Sequence, residues 1–245
     1  MSVLESIIEG VKEDLEQRRL SQAQILEAVE VAPPVRSDMS NFQSGPLSLI
    51  AEVKRSSPSK GSLAPIADPA LLASRYEKAG ASAISVLTER RRFGGSLSDL
   101  DAVRQAVDLP VLRKDFMVDQ YQFLEARAHG ADLVLLIVAA LSKNQLQDYL
   151  AITQELGMHA IVEVHTHAEL EIALDSPCEM IGITSRNLKT LDVDPVAFKE
   201  LLPHIPSSLV RIAESGISSR SDVEFALSCG ANAILVGEAL VRAGD

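Results

Sequence analysis

The sequence predicts a (β/α)8 TIM barrel preceded by a short helical extension, and three observations carry that reading. Eight short runs rich in Ile, Val, Leu and Ala recur from Ser48 onward, each followed by a polar or glycine-containing loop and most by an amphipathic stretch. Strands alternating with helices in this way build a parallel sheet. The chain has 245 residues, close to the roughly 250 that one such barrel needs. No G-x-G-x-x-G follows the first strand, which argues against the competing open, doubly wound sheet.

Taken in order, the chain begins with Leu4, Ile7, Ile8, Val11 and Leu15 at helical spacing, and a second helical stretch runs from about Gln22 to Val29. Pro33-Pro34 ends it, and the polar stretch from Arg36 to Gly45 reads as a connector. Residues 1–45 are too few to hold a core of their own, so they are expected to pack on the barrel of residues 46–245. The expected strands are Ser48–Val53, Ala83–Leu87, Pro110–Lys114, Leu133–Val138, His159–Val164, Met180–Thr184, Ser208–Ala213 and Asn232–Val236. Between them lie helical runs such as DPALLASRYEKAG, DQYQFLEARAHG and SRSDVEFALSCG, whose final glycines suit C-terminal caps. Asp245 follows soon after the eighth strand, so the last helix is expected to be short and to leave apolar barrel surface uncovered.

Composition narrows the function. With 47% hydrophobic and 23% charged residues the chain can bury a sizeable core. A net charge of −11 and aromatic content of 4% without tryptophan argue against nucleic acid and anionic membranes as partners. An anionic substrate would need a local cluster of cations and backbone N–H groups. Cys178 and Cys229 have neither metal-site nor redox spacing. The acidic, amphipathic N-terminus is not a signal peptide, and the apolar run from Ala131 to Leu141, broken by Asp132, is too short to span a bilayer. A cytoplasmic protein, monomeric or weakly self-associating, is the expectation.

Polar residues at strand ends locate the site. Side chains alternate along a strand, so Glu52 and Lys54 share the face of Ile50. Lys114 shares that of Leu112, Glu163 that of Ile161, and Glu214 that of Ile212. If those faces point inward, two lysines and three glutamates converge on one mouth, at the C-terminal rim where barrels of this kind do their chemistry. Mutually paired or solvated rim charges are the alternative for any one of them. Ser215-Gly216 after the seventh strand and Gly237 after the eighth stand where such barrels hold a phosphate. The loop from Arg55 to Gly61 adds hydroxyls and cations. His165 and His167 lack the helical spacing of a metal pair and read as loop or capping residues, so no metal is expected.

IAEVKRSSPSKG, SVLTERRRFGGS, PVLRKDF, VEVHTHAELEIAL, RNLKTLDVD, RIAESGI and ILVGEAL, in this order, resemble the successive strand-end motifs of the indole-3-glycerol-phosphate synthase family. The resemblance covers nearly the whole chain, helical extension included. It implies conversion of 1-(2-carboxyphenylamino)-1-deoxyribulose 5-phosphate to indole-3-glycerol phosphate with loss of carbon dioxide and water, in tryptophan biosynthesis and with no cofactor. By family position Lys114 is the general acid at the ketone oxygen, and the chemistry asks that its pKa fall well below the ordinary lysine value, to which a neighbouring Lys54 would contribute. The resemblance likewise implies that Lys54 holds the substrate carboxylate, that Glu163 is the base, and that Glu52 and Glu214 orient the lysines and bind hydroxyls. Arg186, Ser215, Gly216, Gly237 and Ser57 resemble the phosphate and carboxylate contacts. Phe93, Phe116, Leu135 and Leu188 match positions that enclose the aromatic ring.

One departure bears on the site. The sixth-strand motif of the family reads G-[IV]-N-x-R-[DN]-L, and here it is Gly182-Ile183-Thr184-Ser185-Arg186-Asn187-Leu188. A hydroxyl of short reach replaces an amide that both donates and accepts. Two other readings follow: a non-catalytic barrel that keeps only the phosphate site, or an isomerase of a related aminodeoxyribulose phosphate. The isomerase chemistry asks for an Asp/Cys pair, and no cysteine stands at an early strand end.

Overall fold

The computed structural model describes residues 2–42, 47–188 and 190–243. The end of the expected connector, the expected boundary at residues 45 and 46, and the terminal Asp245 lie outside the described residues.

In chain order the elements are α1 (Val3–Arg18), α2 (Gln22–Val31), β1 (Ser48–Val53), a two-stranded hairpin of β2 (Ser56–Ser57) and β3 (Gly61–Ser62), α3 (Pro69–Lys78), β4 (Ala83–Leu87), α4 (Leu97–Ala106), β5 (Val111–Lys114), α5 (Tyr121–Ala128), β6 (Leu133–Ile137), α6 (Lys143–Glu155), β7 (His159–Val164), α7 (His167–Leu174), β8 (Met180–Thr184), α8 (Val196–Leu201), β9 (Val210–Glu214), α9 (Arg220–Ser228), β10 (Ala233–Val236) and α10 (Glu238–Ala243). Eight of the strands close into a parallel barrel in the order β1-β10-β9-β8-β7-β6-β5-β4. Four of the eight expected strands have the bounds read from sequence; the others move by one or two residues, β9 the most, and its shift brings Glu214 into the ladder. The hairpin lies in a stretch that reads as loop from sequence.

Local chemistry explains the helix ends. Ser2 with Glu5, Ser21 with Gln24, Ser142 with Gln145 and Ser219 with Asp222 form reciprocal capping boxes that satisfy otherwise unpaired first-turn N–H groups. Gly80, Gly130, Gly157 and Gly230 follow α3, α5, α6 and α9 with φ from 74° to 104°, the left-handed turn that costs glycine least.

Two apolar layers result from strand alternation. Ala51, Val53, Ile84, Val86, Val134, Leu136, Val162, Ile181 and Ile183 face the helices. Ile50, Ala83, Leu112, Leu133, Leu135, Ile161, Met180, Ile212 and Leu235 fill the barrel. The second group shares its phase with Glu52, Lys114, Glu163 and Glu214, so the inward direction expected of those residues holds.

The N-terminal helices are tied to this barrel. Leu4, Ile7 and Val11 of α1 join the interior cluster at the mouth, while Leu15 and Ile25 pack with Tyr121 of α5. Arg18 makes a two-pronged pair with Glu125 at 2.8 and 3.0 Å, and Arg91 binds Glu13 and Asp14. Asp132, the break in the apolar run, accepts the N–H groups of Arg36 and Val111 at 2.7 and 2.8 Å and pins the connector. Among the described residues, no helix is long and apolar enough to cross a membrane.

Candidate functional site

A cavity of about 130 Å³ opens at the C-terminal ends of the strands. Register builds its floor: Glu163 lies beside Gly182, Thr184 beside Glu214, and Glu214 beside Leu235. Glycine at 182 leaves the space that a carboxylate fills, since a Cβ there would stand 2.1 Å from Glu214 Oε1. Gly237 does the same for Glu52, whose Oε1 would be 2.3 Å from an added Cβ.

The charged residues form one set. Lys54 Nζ lies 2.5 Å from Glu52 Oε1. Lys114 Nζ hydrogen-bonds directly to Glu214 Oε2 and stands 3.6 Å from Glu163 Oε2. All three carboxyls are buried, whereas the two lysines retain some exposure. With every group ionised the set carries three negative charges against two positive, and one bound proton makes it neutral. Burial, reinforced by the Glu214 charge and a hydrogen bond with it, assigns that proton to Glu163, pushing its carboxyl up to about 8 despite the nearby Lys114. Glu52 goes the other way: burial opposes its ionisation, but Lys54 and Lys114 outweigh the cost and hold it below the ordinary carboxylate range.

Lys114 corrects an expectation. Burial draws its pKa down, but Glu214, Glu163 and Glu52 surround it and leave it well above the ordinary lysine value. The expectation of a lowered value weighs the neighbouring Lys54 and overlooks that the lysines are outnumbered by carboxylates.

The remaining walls are set by buried polar residues that the sequence does not single out. Glu89 accepts the N–H groups of Arg91, Arg92 and Phe93 at 3.0, 2.7 and 2.9 Å, fixing the turn that presents Phe93. Asp115 accepts from the Thr88 hydroxyl at 2.6 Å and from the Phe116 N–H at 2.8 Å. Phe93 and Phe116 then stand with ring centroids 6.2 Å apart. With Leu135 and Leu188 they line an apolar side of the cavity, joined by Leu4 and Ile7 from α1. Neither α1 residue can be assigned to the mouth from helical spacing, because periodicity marks a buried face and not what it covers.

The opposite side is polar. Ser57, Ser59, Thr184, Arg186, Ser215, Gly216 and Gly237 line it. Ser215 and Gly216 are both left-handed, with φ of 65° and 72°. A Cβ on Gly216 would also meet Val193 Cγ1 at 2.8 Å, so that position demands glycine on both conformation and space. The Arg186 guanidinium donates to Ser59 Oγ and to the Leu191 carbonyl, both at 3.0 Å, and so bridges the loops after β1 and β8. Thr184 is spent locally: its hydroxyl donates to Ser215 Oγ and accepts the Arg186 N–H, each at 3.3 Å.

Two expected contributions fall away from the cavity. Arg55, counted among the loop cations, turns to Asp99, 2.5 Å away. Glu214 does not line the cavity, and meets Lys114 from beneath. The two histidines diverge: His165 Nδ1 lies 2.9 Å from the Thr184 carbonyl, and His167 packs edge-on against His204.

Comparison with known proteins bears on this arrangement. The family model for indole-3-glycerol phosphate synthase matches residues 4–245. An indole-3-glycerol phosphate synthase of Micrococcus luteus is 55% identical over all of this chain and 94% of its own length. One of Paenarthrobacter aurescens is 57% identical over 98% of this chain and 91% of its own. Among solved structures, the N-acetylmannosamine-6-phosphate 2-epimerase of Clostridium perfringens superposes with a TM-score of 0.60 over 81% of this chain and 88% of that one, at 15% identity, a likeness of fold alone.

Proposed function

The chain belongs to the indole-3-glycerol phosphate synthase family, and from that premise we propose how the residues of its mouth divide the work of the reaction. The activity is that of a carboxy-lyase of tryptophan biosynthesis: ring closure, decarboxylation and dehydration of 1-(2-carboxyphenylamino)-1-deoxyribulose 5-phosphate to indole-3-glycerol phosphate. One observation supports the assignment of roles above the others: Lys114 borders the cavity between Glu163 and Glu214, with the Lys54–Glu52 pair in the same wall.

Lys114 gives the proton to the ketone oxygen as the aromatic carbon attacks, and Glu214, bonded from below, aims its ammonium. The carboxyls around it, Glu214 foremost, keep Lys114 charged before substrate arrives, so it enters the reaction as a loaded acid. The proton resident on Glu163 reduces the negative charge facing Lys114 and with it the hold on the ammonium proton. Lys54, oriented by Glu52, holds the substrate carboxylate until carbon dioxide leaves, and then gives a proton to the departing hydroxyl. Glu163 acts once its resident proton has been given up, and as carboxylate removes the proton whose loss completes the second ring. Two protons are given and one taken, which balances loss of carbon dioxide from a carboxylate and loss of one water.

Phe93, Phe116, Leu135 and Leu188 enclose the aromatic ring, while Ser57, Arg186, Ser215, Gly216 and Gly237 receive the phosphate and polar end. Positioning of this kind supplies much of an enzyme's advantage, because the reacting atoms are held within contact. The alternative of a non-catalytic phosphate-binding barrel is not favoured, since the family match spans the chain. The test is a fluorescence assay of indole-3-glycerol phosphate formation by the purified protein. Product formation that is lost in Lys114→Met supports this division of roles; formation that survives the substitution overturns it.

A further inference from the structure

A second cavity of about 70 Å³ lies beside the mouth, and the two share Glu163 as a wall. Its polar lining comes from the ends of β7 and β8, the loops beyond them and the first turn of α7: His165, Thr166, Glu169, Thr184 and Asn187. The proposed function needs Glu163 to lose a proton in each cycle, yet the substrate fills the mouth and the Glu163 side chain is only 6% exposed. The side cavity borders the same residue.

The geometry also fixes the state of the histidine there. A carbonyl has no proton to give, so His165 Nδ1, 2.9 Å from the Thr184 oxygen, carries the hydrogen, and in the neutral ring Nε2 is the nitrogen with the lone pair. The backbone N–H of His165 donates to Glu169 Oε2 at 2.7 Å, which holds the residue at the start of the loop. Glu163, Glu169 and His165 are the titratable groups of the cavity, and Thr166, Thr184 and Asn187 supply further polar partners. A space of this size takes a short chain of waters, each satisfied by such groups.

We propose that this side cavity is the exit for the proton that Glu163 takes, with His165 as its relay. The inference rests on Glu163 being the base. The carboxylate takes a proton from the methylene carbon bonded to the substrate nitrogen, whose C–H electron pair becomes the ring double bond as the neighbouring hydroxyl leaves. The protonated carboxyl passes that proton through water to His165 Nε2, which releases it to bulk solvent. Glu163 returns to the carboxylate that acts in the next cycle, and no oxidant or reductant is needed. His165 touches no substrate atom and acts only through Glu163.

The experiment compares wild type, His165→Asn, Ala139→Leu and Glu163→Gln at low buffer concentration, with and without added imidazole. Asparagine keeps an N–H donor for the Thr184 carbonyl and removes the base. Ala139 is exposed and lines only the side cavity, so leucine narrows it without disturbing the core or the mouth. His165→Asn should lose about fivefold or more in kcat at unchanged KM and recover with imidazole, as a lost proton carrier does. Ala139→Leu should lose kcat and recover less. His165→Asn with wild-type kcat, or with a loss that imidazole does not reverse, overturns the exit route and leaves direct return of the proton to Lys114. Glu163→Gln separates the two levels: its retention of activity overturns the base assignment itself, whereas an inactive Glu163→Gln beside a fully active His165→Asn overturns only the exit.

Discussion

Lys114 Nζ stands 3.6 Å from Glu163 Oε2 while hydrogen-bonding directly to Glu214, so the proposed acid and the proposed base are neighbours across one shared carboxylate. Acid and base at such a distance influence each other's protonation, and opposite roles are kept apart by what else surrounds each group. Around Lys114 that is negative charge, which keeps the ammonium charged; around Glu163 it is burial and a second carboxylate, which keep its proton on to about pH 8.

Lys114→Met removes the acid at similar volume. General acid catalysis is worth typically 10²–10⁴-fold, so kcat should fall at least about a hundredfold. Substrate binding, measured by titration, should persist. In single-turnover kinetics, which isolate the chemical step, a variant that keeps more than about a tenth of the wild-type rate would sink the assignment.

Glu163→Gln should lose a comparable factor in kcat while gaining stability in alkali. The folded value of Glu163 lies above its ordinary one, so the folded protein holds that proton more tightly than the unfolded chain. The stability it contributes is complete below the ordinary carboxylate range and is lost as pH rises through about 8. Glutamine is neutral at every pH and escapes the loss. The melting temperature of the variant should exceed that of wild type by about 3 °C or more at pH 9, since each kcal/mol moves a protein of this size by roughly 2–4 °C. Below pH 4 the gap should close. A variant less stable than wild type at pH 9 would show that the ionised carboxylate is needed for the fold.

Glu214→Gln tests the electrostatic coupling. The base must be ionised, so kcat/KM should rise with pH on a limb governed by Glu163 in the free enzyme. Removing the Glu214 charge removes one of the three influences that raise Glu163, the others being burial and the hydrogen bond with residue 214, and the limb should move to lower pH by about one unit. The variant should also lose kcat, because Lys114 loses its direct partner. An unmoved limb would mean that the Glu214 charge plays no part in setting the Glu163 value.

What can be read from the sequence follows the physics of each feature. Strand alternation is a strict period of two, so the inward phase of Glu52, Lys114, Glu163 and Glu214 is legible once Ile50, Leu112, Ile161 and Ile212 are placed in the interior. Strand limits are less exact: Ser208 and Leu209 precede β9 because neither closes a ladder bond, whereas Glu214 pairs with both Thr184 and Leu235. The raised pKa of Lys114 escapes the sequence, because a sign depends on the count and distance of neighbouring charges and not on their presence in one strand. Glu89 and Asp115 are invisible for a related reason. Their partners are N–H groups and hydroxyls of nearby loop and strand residues, and no pattern of side-chain types announces such a bond.

Thr184 is where this chain departs from its family's motif, and its surroundings sharpen the expected effect. The side chain is buried, and its hydroxyl serves Ser215 Oγ and the Arg186 N–H at 3.3 Å each, both long for such bonds. An asparagine amide at this position can accept the Arg186 N–H with its oxygen and still offer two N–H donors further into the cavity, where Thr184 already forms part of the wall. A hydrogen bond involving a charged group is worth roughly 1.5–3 kcal/mol, and the substrate brings a carboxylate and a phosphate. Thr184→Asn should therefore raise kcat/KM about tenfold, the factor that roughly 1.4 kcal/mol corresponds to. The measurement is steady-state kinetics of both proteins under one set of conditions. A neutral or harmful Thr184→Asn would mean that the Ser215 hydroxyl, held by Thr184, already makes the contact the amide would make, and a Thr184→Asn, Ser215→Ala double variant would then lose more than the sum of the single changes.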